Sequence, residues 1–210
     1  VGILPTDSEE LRLQKTLLVF ATGLICFASM LWLFIYWQLG PQISSTIPFV
    51  FQLLLIANLA LYLKTLNFEL FRQTQLALFL FMPFVAQWSM GNFITASGVS
   101  LWALLAPVGA VLVIGAREAL AWFFAYVFLT ALSGGFDYYL ADTILPPPVK
   151  IPTSTTVFFF ALNFAAVSTI VFLLLRYSAI EKQKAQLRLE DAHRMLQREQ
   201  ERSERLLLNI

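Results

Sequence analysis

Histidine and cysteine each occur once in this sequence, and only 13% of its 210 residues are Asp, Glu, Lys or Arg. Each scarcity removes a class of function. One cysteine, Cys26, cannot form an internal disulfide, and inside an apolar run it packs as a small hydrophobe. A bis-histidine haem site needs ring nitrogens within the apolar segments, whereas the one histidine, His193, lies in the charged C-terminal stretch. No G-x-x-x-x-G-K-[ST] or G-x-G-x-x-G pattern occurs, so neither of those phosphate cradles is encoded. Cations are few and mixed with acids, which argues against nucleic acid as a partner.

Apolar residues make up 59% of the chain, and the mean hydropathy is +0.73. That balance predicts an all-α membrane protein whose first partner is the lipid bilayer. Six apolar runs are separated by short breaks: Thr16 to Leu39, Ile47 to Leu66, Gln75 to Thr95 with Pro83 as a kink, Val99 to Gly115, Glu118 to Phe136, and Thr156 to Leu175. The expected domains are a cytoplasmic N-terminal segment (1–15), a six-transmembrane-helix bundle (16–176) and a cytoplasmic parallel coiled-coil helix (177–210).

Arg12 and Lys15, Lys64 and Arg72, Arg117, and Arg176 all fall on one side of that layout. Lys and Arg in short loops stay cytoplasmic, so both termini are expected inside, in a multi-pass protein of the plasma (inner) membrane. Trp32, Tyr36 and Trp37 near one end of the first run, and Tyr138 with Tyr139 after the fifth, are expected to anchor the outer interface.

No ionisable group falls within the predicted span interiors, which disfavours a pump, channel or proton-coupled transporter. Their polar content is amide and hydroxyl: Asn58, Gln87, Asn92, Asn163, Ser168 and Thr169. Interhelical hydrogen bonds account for such residues. A second reading gathers Gln87, Trp88 and Asn92 with the loop acids Asp137 and Asp142 into a pocket for an unknown extracellular or membrane ligand. Two carboxylates are too few for a calcium cage, so no metal site is expected. Pro146 to Pro148 stiffen the loop between runs five and six. Ala103, Ala106 and Ala110, and likewise Ala121 and Ala125, make small-residue faces for close helix approach, within one chain or between two.

Seven of the fourteen Lys and Arg residues lie at or after Lys182, in a stretch free of Gly and Pro. There Ala185, Leu189, Ala192, Leu196, Glu199, Ser203, Leu206 and Ile210 repeat with spacings of four and three. This is a heptad seam, weakened by Glu199 and Ser203, and it predicts a homodimer. His193 sits in His-Arg-Met-Leu-Gln, which lacks the acidic residue and Arg-Thr-Pro pattern expected around a sensor kinase's phospho-acceptor.

The ending Glu201-Arg-Ser-Glu-Arg-Leu-Leu-Leu-Asn-Ile210 resembles the junction preceding the catalytic domain in membrane-anchored bacterial class III adenylate/guanylate cyclases. There, a charged helix ending Arg-Ser-Glu-x-Leu-Leu-Leu-Asn-Ile continues into Leu-Pro and the cyclase core. The likeness is dense over about ten residues, and the six-span layout agrees with the family's anchor. It implies the anchor, dimerisation and receptor-like part of an enzyme making cyclic AMP and pyrophosphate from ATP. In that family two catalytic domains meet head to tail and use two divalent metals, Mg or Mn. The family's metal-binding aspartates, purine-selecting residues and transition-state Asn and Arg are not among these 210 residues. No catalytic residue, cofactor or metal is therefore expected in this segment. The alternatives are a six-span sensor for another output enzyme (guanylate cyclase, diguanylate cyclase or kinase) and a small-solute transporter.

Overall fold

A computed structural model describes residues 2–39, 46–139 and 152–208, with side chains described for 2–38, 46–139 and 152–198. The described residues contain helices and no strands: α1 (Glu9–Leu39), α2 (Thr46–Thr65), α3 (Phe68–Met90), a 3-10 turn (Val99–Leu104) leading into α4 (Leu105–Val113), α5 (Ala119–Tyr139) and α6 (Thr153–Leu208). The chain divides into two compact units, Val1–Phe172 and Leu173–Ile210. Four stretches are long and apolar enough to cross a membrane: Glu9–Gln38, Thr46–Thr65, Ala119–Tyr139 and Thr153–Arg198. The protein is thus an all-helical chain of membrane character.

Helix ends follow local chemistry. The Ser8 hydroxyl accepts from the Leu11 amide at 3.2 Å, and Glu9 with Glu10 place negative charge at the N-terminus of α1. This helix starts before the expected first span residue, Thr16, because Glu9 to Lys15 join it. Asn67 caps α3 by accepting from the Leu70 amide at 3.1 Å. The same helix stops at Met90, short of the expected Thr95, and Gly91 takes φ +119° beyond it. Asn92 and Thr95 then bond to each other in a turn that competes with the helix.

The fourth expected span takes a different form. Six residues in the 3-10 turn at about 2.0 Å each and nine in α4 at about 1.5 Å each extend roughly 25 Å. That is shorter than the ~30 Å hydrocarbon core. Ala103, Ala106 and Ala110 are fully buried, and Gly109 lies against Leu76 of α3, so this small-residue face packs within the chain. At Gly98, with φ +66°, a Cβ would stand 2.7 Å from the Phe160 ring, so a side chain there would collide with α6.

The core of the first unit is built around α3. Leu76, Phe79, Leu80 and Phe84 are at most 2% exposed, and Gln75 and Gln87 are fully buried. In contrast, α5 buries only Ala119 and Ser133, while Phe124 and Phe128 are each 65% exposed. Trp32 and Tyr36, one helical turn apart, face inward: they stack on each other and pack on Phe159 of α6, with ring centroids 5.1 to 5.9 Å apart. They are core residues, which corrects their expected role as interface anchors. Trp37, Tyr138 and Tyr139 are exposed.

The segment before α1 folds back as a strap. Lys15 bonds Asp7 Oδ2 at 2.7 Å and the Gly2 carbonyl at 3.1 Å, and the Tyr62 hydroxyl donates to the same carbonyl at 3.1 Å. The Lys15 hydrogen bond, aided by the Leu4 amide at 2.7 Å, holds the Asp7 carboxyl below the usual carboxylate range.

Within the second unit, Lys184 pairs with Glu181 at 2.7 Å and Arg194 approaches Glu190 at 3.9 Å along the helix. Ala185, Leu189, Ala192 and Leu196 are exposed, Leu189 at 73% and Leu196 at 63%. Glu199, Ser203 and Leu206 fall on the described helix, but their side chains and Ile210 lie outside the described residues.

Candidate functional site

Amides and hydroxyls inside the first unit join neighbouring helices at several levels. At the first, Gln75 of α3 donates to Thr22 of α1 at 3.0 Å and accepts from Asn58 of α2 at 2.6 Å, and Thr74 donates to Asn58 Oδ1 at 2.8 Å. Gln52 of α2 forms a second connection, donating to the Cys26 carbonyl at 2.9 Å and accepting from the Ser29 hydroxyl. The third joins the 3-10 turn to α6: Trp102 Nε1 donates to Asn163 Oδ1 at 3.0 Å, and Asn163 Nδ2 donates to the Ser97 carbonyl at 2.9 Å. In an apolar surrounding each bond joins two helices at a fixed height, which a purely aliphatic surface does not specify.

The expected ligand-pocket residues are distributed along α3, the turn after it and α5. Gln87 Nε2 and Trp88 Nε1 both donate to Ser133 Oγ, at 2.5 and 3.1 Å. Asp137, one turn after Ser133 on α5, accepts from the Phe93 amide at 2.6 Å through Oδ2. Asn92 is spent on its own turn with Thr95. Asp142 lies outside the described residues. Gln87, Trp88 and Asp137 thus hold α3 and the turn beyond it to α5. Gln87 Oε1 and Asp137 Oδ1 are buried oxygens left without a partner among the described residues. The described residues contain no cluster of three or more His, Cys, Asp or Glu arranged for a metal.

Ser133 is the member that sequence reasoning missed. Its signal was a hydroxyl in a mostly aliphatic and aromatic run, followed by Gly134-Gly135. Gln75 and Thr22 were missed for a different reason: Gln75 stood at the expected edge of a span, where polar residues need no partner.

A separate cavity of about 40 Å³ lies within the first unit, lined in part by Ser29, Trp32, Met82, Pro83, Trp102 and Asn163. Trp32 Nε1 is buried and has no hydrogen-bond acceptor among the described residues.

The chain matches no family model, no curated protein and no solved structure.

Proposed function

We propose that this chain is the membrane anchor, dimerisation domain and regulatory domain of a class III adenylate cyclase, with the catalytic domain following in a longer protein. The observation that carries the reading is the ending Arg-Ser-Glu-Arg-Leu-Leu-Leu-Asn-Ile, set at the end of α6, a helix that begins as an apolar membrane-length run. The proposal takes six crossings: the four apolar helices, α3, and the short 3-10 and α4 segment buried among them. The concentration of Lys and Arg on one side, with only Lys150 on the other, supports cytoplasmic termini in the plasma membrane.

Exposed Leu189 and Leu196 in the single chain support a second copy as the partner that covers the heptad seam. In this reading α6 carries regulation. Each residue turns everything beyond it by about 100 degrees, and a seam interrupted by Glu199 and Ser203 prefers neither packing phase strongly, so modest forces shift the balance. The expected partners are a homodimeric copy, lipid and an extracellular or membrane ligand. ATP with Mg or Mn belongs to the catalytic domain.

The test uses the full-length protein in membranes with cyclic AMP formation as readout. Seven residues inserted after Leu196 nearly restore helical phase and are expected to leave regulated activity in place. Two residues rotate the catalytic partners by most of half a turn and are expected to abolish it. Equal activity and regulation in both variants would make the tail a flexible tether and defeat the proposal. Formation of a different cyclic nucleotide, or of none, would assign another output.

A further inference from the structure

We infer that the turn after α3, residues 91–98, is a relay that passes displacement of the end of α5 to α6, with Asp137 as its input and Asn163 as its output.

The turn is tied as one piece. Asn92 Oδ1 accepts from the Thr95 amide at 2.8 Å and Thr95 Oγ1 accepts from the Asn92 amide at 2.9 Å, the same reciprocal pairing that closes a helix N-terminus. Backbone bonds from the Ala96, Ser97 and Gly98 amides to the Asn92, Ile94 and Phe93 carbonyls close it further. Each end is a glycine at positive φ, Gly91 at +119° and Gly98 at +66°. Glycine absorbs backbone rotation at little steric cost, so the knot between these ends pivots more readily than it deforms.

One side of the knot is held by α5, through the bond from the Phe93 amide to Asp137 Oδ2 at 2.6 Å. That helix is otherwise sparsely held: it buries only Ala119 at its start and Ser133, which accepts from Gln87 and Trp88. Few packed side chains oppose a shift of its Asp137 end, and the shift pulls on the Phe93 amide. The other side of the knot meets α6. Asn163 Nδ2 donates to the Ser97 carbonyl at 2.9 Å, and the Phe93 and Phe160 rings meet edge to face at 6.3 Å. The Gly98 backbone lies so near α6 that a Cβ there would stand 2.7 Å from the Phe160 ring. Asn163 is fully buried and its Oδ1 takes the Trp102 indole at 3.0 Å, so this contact does not yield without breaking a bond in an apolar surrounding.

Bonded and packed contacts of this kind change between discrete arrangements instead of stretching, which is how a small displacement on one side becomes a displacement on the other. Both sides lie within the first unit. Use of the relay by an output domain rests on the proposed role of α6 in regulation, whereas the coupling itself is a property of this chain. An experiment without the output therefore tests the relay separately from the cyclase reading.

That experiment uses the 210-residue chain, 15N-labelled in lipid nanodiscs, and reads hydrogen–deuterium exchange at the Phe93 amide for the α5 side and at the Trp102 indole for the α6 side. Amides around Leu76 in α3 report that the fold is intact. Asp137→Ala removes the input bond and is expected to speed exchange at Trp102 roughly 5- to 150-fold, the ordinary span of coupling between sites. Coupling is reciprocal, so Asn163→Ala is expected to speed exchange at the Phe93 amide by a comparable factor. Thr95→Val unties the knot at nearly constant volume, and in that background Asp137→Ala is expected to speed Phe93 alone. Faster exchange at Phe93 with none at Trp102 in Asp137→Ala would make the Asp137 bond a local clasp and overturn the proposal. An equal effect on Trp102 with Thr95→Val present would route the coupling outside the turn and overturn it as well. Should Asp137→Ala lose the Leu76 protection, Asn163→Ala decides, and an unchanged Phe93 amide there defeats the relay.

Discussion

Helices α3 and α5 are 23 and 21 residues long, yet the same bundle uses them in opposite ways. In α3, apolar residues alternate with Gln75, Pro83 and Gln87, these three all buried, while the more apolar α5 presents Phe124, Val127, Phe128 and Leu132 outward. In a soluble protein the more apolar helix would be the inner one. A bilayer inverts that expectation, because lipid solvates aliphatic surface as well as a protein interior does and leaves amides to seek each other. The helix with the weaker membrane signal is therefore the central one. Its lower hydropathy also keeps it out of the set of helices that length and composition alone mark as spans.

Core truncation should separate the two helices most strongly. Leu80→Ala in α3 removes packing at a site 1% exposed and is expected to cost roughly 2–5 kcal/mol. Phe124→Leu in α5, at a site 65% exposed, is expected to stay within about 0.5 kcal/mol. Unfolding equilibria in mixed micelles compare them directly, and similar losses at both sites would erase the distinction.

A smaller effect tests the amides. Gln75→Leu raises the hydropathy of α3 but breaks bonds to both α1 and α2, so it is expected to destabilise by about 1–2 kcal/mol. A stabilising result would mean that hydropathy, not interhelical bonding, governs this helix. Combining it with Thr22→Val should give a less-than-additive loss, since both remove the same bond.

The sequence made part of this contrast readable. Asn58 and Asn163 stood out as amides in apolar runs, and both do bond across helices. The end of α3 was readable from Gly91 but was overridden by Phe93-Ile94, whose apolarity extended the run although the Asn92 side chain had already turned the chain. Trp32 and Tyr36 share a face at spacing four, but aromatic residues near a span end fit an interface belt equally well. Only the Phe159 ring across from them decides, and it is remote in sequence. Asp142 and the seam positions from Glu199 onward remain readings of the sequence.

The smallest effect concerns the strap at the start of α1. Because Lys15 depresses the Asp7 carboxyl in the folded state, its contribution is present above the ordinary value near 3.8 and lost as pH falls below it. Amide exchange is expected to show Leu4 protected from neutral pH down to about 4 and progressively less below. Asp7→Asn should remove that pH dependence. The amides of α3 near Gln75 serve as the comparison and should keep their protection throughout.

Spin labels placed one at a time along α3 and α5, in a chain with Cys26 replaced by Ala and reconstituted in bilayers, test the inversion most directly through collision with dissolved oxygen. The account predicts high accessibility at most α5 positions. In α3 it predicts a 3.6-residue period, with minima at Leu76, Leu80, Pro83 and Gln87 and maxima at Phe81 and Val85. Uniformly high accessibility along α3, or protection of α5 equal to that of α3, would contradict it.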